Sequence, residues 1–216
     1  MTEIDVVRLR VDGLLLDCDG VLVDSHNAAA VAWNSWAKRW APDFDFHRDV
    51  EHGRRIADLV AELVSAPGDV AEATAELIQG ELDHAADVMA IPGARQLLES
   101  SPRGRWAVVT SEGRAIATAR MASAGLVRAD VLVTSEDVER GKPFPDPYLL
   151  AAQRLGISPD RCAVFEDAPA GIAAARAAGV RTVVGVGPDA ATDDVTAAVP
   201  DLRGVRFDGQ CLLLGS

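Results

Sequence analysis

Two aspartates with one residue between them follow a run of leucines early in this chain of 216 residues. The leucines at 14–16 predict a strand that is buried on both faces, as strands of parallel sheets are. Side chains two apart in an extended backbone point the same way, so Asp17 and Asp19 can face one spot beyond the strand end. Open α/β sheets place their ligand sites at this edge. The alternative is a turn in which Asp and Gly20 serve only the turn geometry.

Paired carboxylates suit phosphoryl transfer. One carboxylate can attack phosphorus and form an acyl phosphate, which divides one difficult step into two. A second acid can protonate the departing alcohol and later take a proton from water. A further acidic pair, Glu166 and Asp167, follows the apolar run at 162–165, and a few carboxylates suffice for Mg²⁺, which prefers oxygen ligands. Asp167 as the cap of a helix that Pro169 opens is the alternative.

Hydroxyl and ammonium groups stand at two other predicted turns. Thr110 and Ser111 end an apolar run at 106–109, where hydroxyls and free backbone N–H groups can hold phosphate oxygens or merely cap a helix. Lys142 stands between turn-forming residues, so its ammonium is positioned and can neutralise a nucleophile and a transferring phosphoryl group. A solvated loop lysine is the alternative.

Taken in order, these stretches resemble the motifs of the haloacid dehalogenase superfamily, and they span most of the chain. The branch that they resemble contains the small sugar-phosphate phosphatases related to 2-deoxyglucose-6-phosphatase and β-phosphoglucomutase. The motifs are Asp-x-Asp-Gly-Val-Leu-x-Asp-Ser at 17–25, an apolar strand and Thr-Ser at 110–111, Gly-Lys-Pro-x-Pro-x-Pro-Tyr at 141–148, and Val-Phe-Glu-Asp-Ala-Pro-Ala-Gly at 164–171. The resemblance implies an α/β fold, in which a Rossmann-like parallel sheet with helices on both faces carries an inserted all-helical cap.

The resemblance also implies roles for individual residues. Asp17 is expected to be the nucleophile, and Asp19 the general acid and base. Thr110, Ser111 and Lys142 are expected to contact phosphate. The expected ligands of Mg²⁺ are Asp17, the carbonyl of Asp19, Asp167, and Glu166 either directly or through water.

Three residues of the cap are candidate substrate contacts, and one core residue departs from the family pattern. Related phosphatases carry a segment similar to His52-Gly-Arg54-Arg55 at the cap face, and Arg is a good ligand for an anionic or hydroxylated group. Ordinary surface arginines at a helix start are the alternative. Glu112 stands where family members more often have Gly or Ser, and a carboxylate beside a phosphate is unfavourable. We therefore expect Glu112 to point away or to serve a local role.

The segment from 25 to 91 has no good strand candidate, whereas strands and helices alternate on both sides of it. It therefore predicts an insert, with domains expected at 1–24 (core), 25–91 (helical cap) and 92–216 (core). Helices that merely cover the sheet of one domain are the alternative. The predicted helices are 28–40, 47–65, 70–89, 95–100, 115–124, 146–155 and 169–178. The predicted strands are 8–16, 106–109, 131–133, 162–165, 180–184 and 205–207.

Composition limits the partners. A net charge of -12 argues against nucleic acid and anionic membranes, so a phosphate site needs a cation and a few placed Lys or Arg side chains. The hydrophobic content of 49% is ordinary for a globular core, and no apolar run is long enough to cross a bilayer. Three cysteines without metal spacing and an acidic start indicate a cytoplasmic protein with reduced thiols and no signal peptide. We expect a monomer.

The function that these features favour is that of a Mg²⁺-dependent phosphatase, which hydrolyses small phosphorylated sugars or polyols through an aspartyl-phosphate intermediate. A mutase similar to β-phosphoglucomutase is the first alternative, but those mutases carry a His in the first cap helix at the position of Ala29. A missing base there favours hydrolysis, although His26 can in principle reach in. A non-catalytic binding module on the same fold is the second alternative.

Overall fold

Six parallel strands form the central sheet in the computed structural model of the protein, which describes residues 6–215. In spatial order they are β6 (Leu132–Val133), β5 (Trp106–Val109), β2 (Gly13–Leu16), β7 (Cys162–Glu166), β8 (Thr182–Val186) and β9 (Ala197–Val199). Every residue of β2, β5 and β7 is buried, because such strands are covered on both faces. The central strand β2 lies between β5 and β7, so the residues that follow these three strands meet at one edge.

Helices cover both faces of this sheet. The helices of the core are α5 (Ala94–Ser100), α6 (Arg114–Ser123), α7 (Asp146–Leu155) and α8 (Pro169–Ala177). Leu14 and Leu16 pack in the apolar cluster that includes α5 and α6, whereas Leu15 packs in the cluster of α7 and α8. Alternate residues of a strand face opposite sides of a sheet, which explains this division. The predicted α/β class with a Rossmann-like parallel sheet is confirmed.

A helical insert separates β2 from the rest of the core. It contains α1 (His26–Trp40), α2 (Phe46–Asp49), α3 (Ile56–Leu63) and α4 (Val70–Asp83). These helices enclose an apolar cluster of their own, which includes Trp33, Trp36 and Leu77, and Ile116 of α6 joins it from the core. The predicted helical cap is therefore present, and its own core packs onto one helix of the sheet domain.

The helix predicted at 47–65 is two helices in the structure. Residues 50–55 separate α2 from α3, and Gly53 adopts a left-handed φ of 84° that favours glycine. A Cβ at Gly53 would lie 3.1 Å from the Cβ of Ala168. The loop of the insert therefore passes close to the residues that follow β7.

The helix predicted at 70–89 is also shorter, because α4 ends at Asp83. Beyond it, β4 (Met89–Ala90) pairs with β3 (Val23–Asp24) in a short antiparallel ladder. The prediction that the segment 25–91 holds no strand was therefore wrong at its end. The two chain crossings between core and insert run side by side there, and pairing satisfies their backbone groups.

The single strand predicted at 8–16 is two strands in two sheets. β1 (Val6–Arg10) pairs with β11 (Cys211–Gly215), and β11 pairs in turn with β10 (Val205–Phe207), both in antiparallel fashion. β1 is mostly exposed, whereas β2 is buried throughout. The chain changes from one sheet to the other at residues 11–12, and only β2 leads to the edge where the acids stand.

Between residues 6 and 215, no helix combines the length and the apolar character that a bilayer crossing requires. Cys18 and Cys162 are buried and Cys211 is half-buried, all with free thiols. Burial, together with Asp19 and Asp17, raises the pKa of Cys18 well above its usual value. Cys18 is therefore a neutral thiol that packs in the core.

Candidate active site

The carboxyl ends of β2, β5 and β7 carry the predicted reactive groups. Asp17 follows β2, Thr110 follows β5, and Asp167 follows β7, whose last residue is Glu166. Because β5 and β7 flank β2 in parallel, the three ends lie side by side. A cavity of about 120 Å³ opens between this edge and the insert. Its lining includes Asp17, Asp19, Thr110, Ser111 and Asp167 from the core and Trp33, His52 and Arg54 from the insert.

The Lys142 ammonium lies between two carboxylates below this cavity. It donates to Asp17 Oδ1 at 2.7 Å, to Glu166 Oε1 at 2.6 Å and to the carbonyl oxygen of Val109 at 3.2 Å. Burial acts to lower the pKa of Lys142, but Asp17 and Glu166 outweigh burial and raise that pKa above its usual value. Lys142 is therefore charged, and its three N–H groups hold it beside Asp17.

Glu166 is fully buried and fixes Lys142 in place. Its Oε1 accepts a hydrogen bond from the Tyr148 hydroxyl as well as from Lys142. A Cβ at Gly171 would lie 1.9 Å from the same oxygen, so only glycine leaves room for the carboxylate. Burial and Glu166 raise the pKa of Asp17 well above its usual value, and Lys142 opposes this shift. Two buried acids therefore share one ammonium.

Three carboxylates at this edge fit a divalent cation. Asp17, Glu166 and Asp167 can each offer one oxygen, and these oxygens all lie within 4.8 Å of one another. Burial and Glu166 raise the pKa of Asp167 to about 7, although Lys142 opposes them. Among the residues that the structure describes, no donor binds the buried Oε2 of Glu166. Oxygen ligands with surplus negative charge are what Mg²⁺ requires.

The loop after β2 comes unusually close to Asp167. Gly20 has a φ of 76°, and a Cβ there would lie 2.0 Å from Asp167 Oδ2. Glycine is required at this position both for the left-handed backbone and for the close approach. The motif that carries Asp17 and Asp19 is thereby held against the end of β7.

Asp19 is bound by Arg120, a residue that the sequence pattern did not indicate as part of the site. Its Oδ1 accepts hydrogen bonds of 2.6 Å from the Ser25 hydroxyl and 2.6 Å from Nη1 of Arg120. Arg120 lies in α6 with an exposed fraction of 1%, and its Nη2 binds Glu81 of α4. Nη1 also lies 3.6 Å from Glu112. A buried network of one arginine and three acids therefore extends from Asp19 into the insert.

The residues after β5 are placed in different ways. The Thr110 hydroxyl accepts a hydrogen bond of 3.1 Å from the backbone N–H of Glu112. The Ser111 hydroxyl donates to the carbonyl oxygen of Gly53 at 2.6 Å, so it joins the core to the insert. The Glu112 side chain turns toward Arg120, and burial raises the pKa of Glu112 to about 8. Glu112 also belongs to the lining of the cavity, so its expected local role stays a prediction.

The three candidate contacts of the insert do not lie together. His52 and Arg54 line the cavity, but the Arg54 guanidinium already pairs with Glu51 at 2.9 Å and with Glu62 at 2.5 Å. Arg55 takes no part in this lining within the described residues. Its guanidinium is held by Asp58 at 2.7 Å and by the carbonyl oxygen of Glu139 at 2.9 Å, which fastens the insert to the core.

His52 belongs to a cluster of aromatic rings at the insert side of the cavity. Its ring lies 5.4 Å from that of His26 and meets Phe46 edge-on at 5.6 Å, measured between centroids. Burial and His26 lower the pKa of His52, so its imidazole is neutral near pH 7. A neutral imidazole can both donate and accept, which suits a hydroxyl group better than a phosphate.

Comparison with known proteins gives a family and several relatives. The family model "Hydrolase: haloacid dehalogenase-like hydrolase" matches residues 11–179. The chain is 38% identical over 179 residues to hexitol phosphatase A of Escherichia coli, covering 81% of this chain and 83% of that protein. It is 35% identical over 189 residues to glycerol-1-phosphate phosphohydrolase 2 of Saccharomyces cerevisiae, covering 81% of this chain and 74% of that protein. The crystal structure of a hydrolase from Pseudomonas syringae superposes with a TM-score of 0.75 at 26% identity, covering 89% of this chain and 94% of that one.

Proposed function

This chain belongs to the haloacid dehalogenase-like hydrolase family, and we propose that it is a Mg²⁺-dependent phosphatase of small phosphorylated sugars or polyols. The observation that carries the proposal is the position of Lys142, whose ammonium lies 2.7 Å from Asp17 and 2.6 Å from Glu166. A charged lysine buried against Asp17, a carboxylate that lines the cavity, suits the transfer of an anionic group to that carboxylate.

In the proposed reaction, Asp17 attacks phosphorus through the oxygen that Lys142 does not hold. The bond between phosphorus and the ester oxygen breaks, and Asp19 gives a proton to that oxygen as the alcohol departs. Asp19 then takes a proton from a water molecule that attacks the aspartyl phosphate. The bond between phosphorus and Asp17 breaks, and inorganic phosphate leaves with both aspartates in their starting state.

Other groups at the edge would hold the phosphoryl oxygens. Thr110 lines the cavity at the neighbouring strand end. Lys142, whose three N–H groups already bind protein acceptors, would act through its charge beside Asp17. Bound by Asp17, Asp167, the Asp19 carbonyl and Glu166, a Mg²⁺ ion would neutralise charge on the phosphoryl group. The cavity is closed on one side by the insert, so water can be excluded during phosphoryl transfer.

The size and the lining of the cavity support a small polyhydroxylated substrate. Its volume of about 120 Å³ is well below the range of roughly 300 to 1,000 Å³ that drug-sized ligands occupy. Two of the relatives are named for hexitol and glycerol phosphates. The neutral His52 lines the insert side, where the hydroxyl groups of such a substrate would lie.

Hydrolysis rather than phosphoryl transfer to a second sugar is supported by Ala29. This residue of α1 lines the cavity with a methyl group. A mutase similar to β-phosphoglucomutase would need a base there. Dependence of activity on an added sugar bisphosphate would support the mutase instead.

Release of inorganic phosphate from a panel of esters tests the proposal. We expect turnover of glycerol 1-phosphate or a hexitol phosphate with Mg²⁺, and no turnover with EDTA. The control variant Asp17→Asn keeps the shape of the side chain and leaves Lys142 its bond to Glu166, so it should fold but not turn over. Retained turnover in that variant would refute the assignment of Asp17 as nucleophile.

A further inference from the structure

The Asp19 carboxylate is held through one of its two oxygens. Oδ1 accepts the hydrogen bonds from Ser25 and Arg120, both of 2.6 Å. In the described part of the chain, no group donates to Oδ2, and 26% of the Asp19 side chain is exposed in the lining of the cavity. The two bonds therefore fix the plane of the carboxylate and leave Oδ2 as the oxygen that a ligand can reach.

Arg120 is itself fixed between carboxylates. Its Nη1 binds Asp19 and its Nη2 binds Glu81, and both Arg120 and Glu81 have an exposed fraction of 1%. The planar guanidinium fork can serve two carboxylates at once, which an ammonium cannot reproduce. Arg120 belongs to the lining of the cavity, but carboxylates engage both of its terminal nitrogens and only 1% of the residue is exposed, so its main effect on a ligand passes through Asp19.

We propose that Arg120 is a positioning residue for Asp19, and that Glu81 of the insert holds Arg120 in place. The inference rests on the proposed phosphatase reaction, in which Asp19 Oδ2 gives a proton to the ester oxygen and later takes one from water. A carboxylate that could rotate freely would present Oδ2 in the reactive direction only part of the time. The contribution of general acid catalysis would then fall.

The same network connects the insert to the reacting edge. Glu81 belongs to α4 of the insert, Arg120 belongs to α6 of the core, and Asp19 follows β2. The position of α4 therefore affects the orientation of Asp19, the proposed general acid, through Arg120. The insert serves catalysis by orienting Asp19, in addition to covering the cavity.

The test compares two esters that differ in their need for a proton. p-Nitrophenolate leaves phosphorus without protonation, whereas the alkoxide of glycerol 1-phosphate or of a hexitol phosphate requires it. The quantity measured is kcat/KM, which reports the steps up to transfer of the phosphoryl group to Asp17. In Arg120→Met, kcat/KM should fall about 10²-fold for the alkyl ester, at the lower end of what general acid catalysis contributes. For p-nitrophenyl phosphate, we expect a change within about threefold.

Further variants separate positioning from folding. Arg120→Lys should recover part of the alkyl-ester activity, because it keeps one charged donor for Asp19. If Arg120→Met fails to fold, the double variant Arg120→Met with Glu81→Met replaces the buried ion pair by apolar groups, which proteins often tolerate. It should show the same selective loss. Arg114→Met is the matched control, since Arg114 is an arginine of the same helix, pairs with Asp137 and is half exposed.

The possible outcomes distinguish the inference from the proposed function. An equal fall of kcat/KM for both esters would overturn the positioning role in favour of a merely structural one. A tenfold weaker inhibition by inorganic phosphate in Arg120→Lys would overturn it too, because Arg120 would then contact phosphate. If wild type hydrolyses neither ester with Mg²⁺, the proposed function itself fails. Selective loss with unchanged phosphate inhibition would support the inference.

Discussion

Replacement of Glu112 by glutamine should change how the stability of this protein depends on pH. The Glu112 side chain lies 3.6 Å from Arg120, and 18% of it is exposed. Burial, reinforced by Glu81 and Asp19 and opposed by Arg120, raises the pKa of Glu112 from its usual 4.5 to about 8. At pH 7 the folded protein therefore carries a neutral carboxylic acid at this position, whereas the unfolded chain carries a carboxylate.

The sign follows from the direction of the pKa shift. Because the folded state has the higher pKa, it holds an extra proton from about pH 4.5 to about pH 8, and stability falls as the pH rises through that window. Each pH unit is worth about 1.4 kcal/mol while Glu112 stays protonated, and Glu112 is half ionised at its pKa of about 8, so the full effect between pH 6 and pH 8 is about 2 kcal/mol. Burial also raises the pKa of Glu81, so Glu81 can share the proton with Glu112, which spreads the effect over a wider pH range. We therefore expect the free energy of unfolding of Glu112→Gln to gain about 1 to 2 kcal/mol on wild type over this range.

Urea denaturation at several pH values from about 6 to about 9 measures this difference. EDTA should be present throughout, so that metal binding does not vary with pH. Glu99→Gln is the matched control, because Glu99 is an exposed glutamate of α5, and its difference from wild type should stay the same at every pH. A constant gap between Glu112→Gln and wild type would refute the reasoning, since Glu112 would then be ionised in the folded protein throughout.

Four other substitutions have defined outcomes. Lys142→Met should lower kcat about 10²- to 10³-fold, because it removes the charge that faces the transferring group; phosphate release with saturating Mg²⁺ measures this, and near-normal turnover would contradict it. Gly171→Ala should destabilise the fold by about 1 to 3 kcal/mol, because the new Cβ would lie 1.9 Å from Glu166 Oε1; an unchanged Tm in thermal unfolding would disprove the close contact. His52→Ala should raise the KM for an alkyl phosphate up to about tenfold, whereas Arg55→Ala should leave KM unchanged. Steady-state kinetics measure both values, and an equal rise of KM in the two variants would assign both residues to the cavity.

The sheet could be predicted because each of its three central strands, β2, β5 and β7, contains an uninterrupted apolar run. The runs at 14–16, 106–109 and 162–165 are too short for helices and stop at polar turn residues, which is the pattern of strands buried on both faces. β9 gave no such signal, because two of its three residues are alanines, which have a low β-propensity. β1 runs almost directly into β2 in sequence, so their division between two sheets depends on the pairing of β1 with the distant β11.

Part of the candidate site could be predicted for a similar reason. Asp17 and Asp167 stand directly after buried strands, and the order of parallel strands brings such positions together. Arg120 was not predicted, although it falls on the apolar face of α6 with Ile116 and Met121. A charged residue in an apolar stripe is a signal that sequence can supply. Its partner is 39 positions away in the chain, and only the packing of α4 near α6 identifies it.

Two groups, each of one cationic side chain and three acids, meet at the reacting edge. They differ in what neutralises their excess negative charge. In the first group, the cation Lys142 faces three acids, namely Asp17, Glu166 and Asp167. In the second group, the cation Arg120 faces three acids, namely Asp19, Glu81 and Glu112.

The first group gathers its oxygens within 4.8 Å at the cavity, so a divalent cation can neutralise it. Within residues 6–215, the acids of the second group do not come together in this way. A proton on Glu112, whose pKa lies at about 8, relieves the second group instead. Binding of a cation to the first group and protonation of Glu112 in the second are independent. Mg²⁺ should therefore stabilise the protein through the first group, and the pH dependence set by Glu112 should persist at saturating Mg²⁺. Loss of that pH dependence on adding Mg²⁺ would mean that both groups share one cation.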